Sequence, residues 1–111
     1  MELAERTCVP CRGGVPPMPR DAAQAMLAQL SEGWALFEVA PGVTALHKTY
    51  RFKDFREALD FTTRVGELAE QQGHHPDIHL AWGRVGVEIW THKIKGLTES
   101  DFIFAAKCDR V

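Results

Sequence analysis

Apolar and polar residues along this chain alternate between helical and strand spacing, and the switches between the two mark out the elements. After Asp21, the residues Ala23, Met26, Leu27 and Leu30 recur at helical spacing and Gly33 closes the run. This predicts a helix over about 22–31, with Asp21 and Gln24 as its capping pair. Trp34 to Val39 and Val43 to Phe52 read as strands joined by the turn residues Pro41-Gly42. Along the second, Leu46, Tyr50 and Phe52 alternate with His47, Thr49 and Arg51, as on a half-buried strand, with Lys48 an exception on the apolar parity. The clearest helix runs over about 54–72: Phe55, Ala58, Leu59, Thr62, Val65 and Ala69 form its stripe, flanked by Phe61 and Leu68. Gly73 stops it, and Pro76 keeps it from resuming.

Ile78 to Trp82 and Val85 to His92 are two further strands around a Gly83-Arg84 connection. Val85, Val87, Ile89 and Thr91 share one face of the latter, while Glu88, Trp90 and His92 share the other. Thr98 and Asp101 resemble a capping box opening a last helix to about Lys107. The order α-β-β-α-β-β-α predicts a two-layer α+β fold, with a four-stranded antiparallel sheet and its three helices on one face.

Residues 1–20 hold Pro10, Gly13, Gly14, Pro16, Pro17 and Pro19, and read as an irregular arm ahead of a single domain at 21–111. A hydrophobic fraction of 45% lets such a domain form a core without disulfides or metal. The formal net charge of -2, with scattered basic residues, gives no electrostatic case for binding nucleic acid or an anionic membrane. No apolar run approaches the ~20 residues of a membrane span. Met1 to Arg12 contains Glu2 and Glu5 and no apolar h-region, so it does not read as a secretion signal, and a cytoplasmic location is expected. Three cysteines argue against a disulfide framework. Cys8 and Cys11 form a C-x-x-C pair, open to a redox role, to half a zinc site, or to being reduced thiols in the arm.

The chemistry gathers late in the chain, at Glu70, His74-His75-Pro76, Trp82, His92 and Asp101. Three imidazoles and two carboxylates make a proton-transfer set, since histidine, with an unperturbed pKa of about 6.5, both gives and takes protons near neutrality. Each member also has a plainer reading. A histidine after a helix can answer the helix dipole, a polar strand end at His92 is ordinary, and Asp101 belongs in a capping box. Glu70, one turn before His74, either orients that ring or is a solvated charge, and Trp82 reads first as strand packing. A glycine-rich phosphate cradle and a serine nucleophile elbow are both absent.

Taken with its spacing, this set resembles the pterin-4a-carbinolamine dehydratases. Gly33-Trp34, Phe52-Lys53-Asp54-Phe55, Phe61 followed by Thr63-Arg64-Val65, and Thr91-His92 with Gly96-Leu97-Thr98 are similar to that family too. The stretch from Cys8 to Pro17 is similar to the lead-in of bacterial members. The likeness covers about residues 22–108 and departs at no motif position.

The resemblance implies a lyase that removes water from a 4a-hydroxytetrahydropterin to give the quinonoid dihydropterin, in tetrahydrobiopterin recycling after aromatic amino-acid hydroxylation. It implies a homodimer or homotetramer that needs no metal or organic cofactor. By the same resemblance His74 and His92 are the acid/base pair and His75 mainly holds the pterin. Glu70 and Asp101 orient rings or ring N–H groups, and Thr91 and Trp34 line the pocket. Two alternatives stand beside this. The fold also serves as a non-catalytic protein-binding module, a dimerisation cofactor or assembly chaperone. A small metal- or redox-linked domain would instead be centred on Cys8 and Cys11.

Overall fold

A computed structural model of the chain describes residues 2–8 and 16–111. The helices are α1 (Arg20–Leu27), α2 (Phe55–Gln72) and α3 (Glu99–Cys108), and the strands are β1 (Ala35–Ala40), β2 (Val43–Arg51), β3 (Asp77–Ala81) and β4 (Arg84–Ile89). The strands form one antiparallel sheet in the order β1-β2-β4-β3. The α+β order expected from the pattern is the order found, with α2 carrying the chain from the inner strand β2 to the far edge at β3.

Strand register sorts the side chains. Leu46, Val85, Val87 and Ile89 point inward and are fully buried with Ala58, Phe61 and Val65 of α2 and Phe102 to Ala105 of α3. Phe37, Thr49, Arg51, His79 and Arg84 lie on the other, uncovered face. Phe61 sits at the centre of the buried α2 stripe, whereas Phe55, at its amino end, is exposed. Asp54 caps this helix by accepting from the Glu57 N–H at 2.9 Å. Gly73 ends it in the left-handed region, at φ 64°, where a side chain would be strained.

Helix α3 has apolar residues all round, and such a helix must be covered on more than one side. The sheet and α2 cover part of it. A 3-10 turn at Leu3–Glu5 lies against another part, with Leu3 buried in the core.

Several boundaries differ from the pattern's reading. Helix α1 starts one residue after Pro19, which holds an extended ψ of 151° and makes no side-chain cap, so Asp21 and Gln24 are not its capping pair. Asp21 lies within the first turn, where its charge answers the helix dipole. Strand β3 ends at Ala81, pairing with Arg84, so Trp82-Gly83 rather than Gly83-Arg84 is the two-residue connection. Trp82 is therefore not strand packing: it stands 71% exposed at the hairpin tip. Strand β4 ends at Ile89, three residues before His92.

The exception at Lys48 has a structural cause. On the inward parity, its ammonium reaches Asp109, just past α3, at 2.8 Å. The same carboxylate accepts from Tyr50 Oη–H at 2.6 Å, from Trp34 Nε1–H at 2.9 Å and from the Ser31 hydroxyl. Burial pushes the Asp109 carboxyl up, but the hydrogen bonds from Lys48, Ser31, Tyr50 and Trp34 outweigh it and hold the group below its ordinary value of 3.8. A carboxyl with a depressed folded value stabilises the fold above its unfolded value and loses that contribution as pH falls through the folded one. Asp109→Ala, which leaves the Lys48 charge half-buried and unpaired, is expected to cost about 3 kcal/mol in urea denaturation at pH 7. The difference from the parent protein is expected to shrink as pH falls from 3.8, where the unfolded chain takes up the proton, through the depressed folded value, where the parent's own carboxylate does.

Candidate active site

Asp101, His74 and Thr91 meet where the end of α2, the start of α3 and the chain beyond β4 converge. Asp101 is completely buried in the first turn of α3. Its Oδ2 accepts from the Thr98 backbone N–H at 2.8 Å, one half of the expected capping box, and from the Thr91 hydroxyl at 2.8 Å. Its Oδ1 stands 2.6 Å from His74 Nε2. A carboxylate only accepts, so the imidazole supplies the proton at Nε2, which leaves Nδ1 as the ring nitrogen not committed to Asp101. Phe104 meets the His74 ring edge-on, with centroids 6.0 Å apart, so the ring is held by packing as well as by charge.

His74 reaches this position because Gly73 turns the chain out of α2 while the His74 N–H still donates to Ala69 C=O at 3.2 Å. His75, the next residue, faces away from Asp101. Its Nε2 pairs instead with Glu70 Oε2 at 2.5 Å, in a pair whose side chains are 60% and 79% exposed. Glu70 thus sits on His75 and not on His74, and an exposed pair of this kind adds little stability.

His92 sits in a tight turn rather than on a strand. Thr91 bridges Gly96, and Lys95 takes a left-handed φ of 58° while its N–H donates to Thr91 C=O at 2.9 Å. A non-glycine residue there costs about 1 kcal/mol, and the turn places exposed His92 beside Thr91. The His92 ring packs edge-on against Trp90, with centroids 4.3 Å apart.

Trp34, expected to line the pocket, is placed elsewhere. It is buried with its indole N–H on Asp109, beyond the opposite end of α3, and eight helical steps from Asp101 amount to about 12 Å. Cys8 is a buried thiol; Cys11 lies outside the described residues, so the C-x-x-C pair is not placed.

The model for the pterin 4 alpha carbinolamine dehydratase family matches residues 16–111. The chain belongs to that family. A protein of Rubrobacter xylanophilus assigned as a pterin-4-alpha-carbinolamine dehydratase is 54% identical, over 99% of this chain and 98% of that one. One so assigned in Methylococcus capsulatus is 49% identical, over 98% of this chain and 92% of its own length. Among solved structures, a transcriptional coactivator/pterin dehydratase from Brucella melitensis superposes with a TM-score of 0.75 at 30% identity, covering 85% of this chain and 96% of that one. A pterin dehydratase-like protein described as a RuBisCO assembly factor in the alpha-carboxysome shares the fold, with a TM-score of 0.59 at 22% identity and covering 71% and 88% of the two chains.

In this family member, Asp101 tests the link between fold and site directly. Asp101→Ala removes the acceptor for Thr91 and Thr98, and unpaired buried donors cost about 1–3 kcal/mol each. Thermal melting is expected to report a destabilisation of that order. Imidazole nitrogen resonances of His74 are expected to move from one tautomer to a mixture, whereas those of His79 on the open sheet face stay unchanged.

Proposed function

We propose that this chain dehydrates a 4a-hydroxytetrahydropterin to quinonoid dihydropterin and water, with His74 and His92 as its proton carriers. Membership of the family supports an enzyme of the carbon–oxygen lyase class. The observation that carries the finer reading is the 2.6 Å contact between His74 Nε2 and the buried Asp101 carboxylate. It holds one ring in one tautomer with Nδ1 as its exchanging atom.

Loss of the C4a hydroxyl needs a proton on the leaving oxygen, while the proton on N5 departs. Two imidazoles can divide these transfers, each worth about 10²–10⁴ in rate. His74 carries one proton through a ring fixed by Asp101. His92, exposed in its turn, carries the other and exchanges it with water. His75, held by Glu70 at the rim, binds the pterin, and Thr91 acts by holding Asp101. Trp34 supports the fold at Asp109 rather than the substrate. The setting is cytoplasmic pterin recycling. We place the chain in a homo-oligomer, an assignment supported by the outer backbone edges of β1 and β3.

A second reading, a protein-binding module, draws on the uncovered sheet face with half-exposed Phe37 and on exposed Trp82 at the hairpin tip. The two readings separate in one experiment. Stopped-flow absorbance of 4a-hydroxytetrahydropterin, generated in situ, is expected to decay faster with the protein. His74→Ala and His92→Ala are each expected to lose about 10²-fold or more while folding normally. Wild-type turnover in both folded variants would refute the assignment. No acceleration by the parent protein, together with a stoichiometric protein partner in a pull-down, would move the function to the second reading.

A further inference from the structure

Residues 2–8 run along α3 from its last turn to its first. Glu2 pairs with Arg110, Lys107 Nζ donates to Ala4 C=O at 2.9 Å, Leu3 is buried, and Arg6 pairs with Glu99. The path ends at Cys8, which touches two helix ends at once. Its N–H donates to Gln72 Oε1, on the last residue of α2, at 3.1 Å. Its thiol donates to Ser100 C=O, in the first turn of α3, at 3.6 Å. His74 lies two residues beyond Gln72, and Asp101 one beyond Ser100.

We propose that Cys8 is a positioning residue, at the end of a brace formed by residues 2–8, that ties the end of α2 to the start of α3 and so sets the His74–Asp101 hydrogen bond. The two helices also pack directly on each other, and Cys8 adds a polar tie at their facing ends. Helix α2 presents His74 on the Gly73 turn, and α3 meets it through the first-turn carboxylate and the edge of Phe104. A 2.6 Å contact between two such ends survives displacements of a few tenths of an ångström, not of one ångström. The thiol suits the place. Burial pushes it up to about 11, with Lys107 pulling the other way, so it remains an S–H donor at neutral pH.

A second contact from the same lead-in holds the third element of the site. Met18 N–H donates to Leu97 C=O at 2.8 Å. Pro17 lies so close to Gly96 that a Cβ there would stand 2.5 Å from the proline Cβ. The turn carrying His92 is thus backed by residues 17–18 as the His74–Asp101 pair is backed by residue 8.

The turnover arm of the test rests on the dehydratase reading; the spectroscopic arm does not. Gln72→Ala removes the acceptor for the Cys8 N–H while placing a better helix former in α2, so folding is retained and a thermal melt verifies it. Gln72→Glu keeps an acceptor oxygen. In Gln72→Ala, kcat is expected to fall about tenfold with KM unchanged, since small misplacements of a proton carrier act on the chemical step. The imidazole resonances of His74 are expected to show faster exchange of the Nε2 proton and a mixed tautomer. Gln72→Glu is expected to restore both. His74 resonances in folded Gln72→Ala that coincide with the parent's would overturn the brace, whatever the turnover. If the parent protein shows no dehydration but the His74 resonances still respond, the brace stands and the dehydratase reading falls.

Discussion

One buried carboxylate ties three parts of this protein together. Asp101 is completely shielded from water, and a charge in that position survives only if its oxygens are saturated by donors. Thr98 donates its backbone N–H at the start of α3, Thr91 its hydroxyl from beyond β4, and His74 its ring from beyond α2. Each donor is therefore held in place by the need of the others. The capping role and the site role are consequently one arrangement: Oδ2 serves the fold, while Oδ1 is left to the imidazole.

The far end of α3 repeats the device with a different purpose. Asp109 gathers Ser31, Trp34, Lys48 and Tyr50, and so fixes the helix to β2 and to the segment after α1. Here the donors include a cation, and Trp34 and Tyr50 also pack in or against the core. Burial also pushes the Tyr50 hydroxyl well above its ordinary range, so it stays a neutral donor. A helix anchored at both ends, apolar all round and flanked by residues 2–8 is a rigid rod on which a side chain can be aimed. Its anchored carboxyl end makes a precise first turn possible at the other.

How much of this is legible in the sequence follows from where each signal is local. Period-two and helical spacing are set by neighbours in the chain, and the elements, their order and the Thr98–Asp101 capping box follow from them. Lys48 broke the pattern because its partner, Asp109, is sixty-one residues away in sequence, and no local rule sees that distance. The pocket role for Trp34 comes from the family resemblance rather than from local spacing, and its indole N–H pairs with Asp109 at the end of α3 away from Asp101. Glu70 is one helical turn from His74, and spacing alone favoured that ring. The left-handed Gly73 rotates the chain so that His75 receives the carboxylate instead. The alternation through Thr91 puts His92 on a strand; the left-handed Lys95 instead turns the chain back at that point. The contacts of residues 2–8 have only one faint signal, the apolar residues spread round α3, which need more cover than one sheet face and one helix provide.

The two histidines offered as proton carriers are held in opposite ways, and the contrast bears on what each can do. His74 is mostly buried, with Nε2 committed to a carboxylate and its ring edge against Phe104. A ring fixed in this manner presents one atom in one direction, which suits a transfer whose geometry must be right at the moment of bond breaking. His92 is exposed, on a turn, with Trp90 as its packing partner. A ring in that setting reaches bulk water without further rearrangement, which in the proposed reaction lets it regain its protonation state between turnovers. Dehydration moves one proton onto the leaving oxygen and one away from N5, and each carrier must be reset before the next cycle. In the proposed reaction, one carrier fixed by a carboxylate and one open to water meet both needs. The single carboxylate that holds the first through Oδ1 also steadies the second, through Thr91 and the turn that follows it.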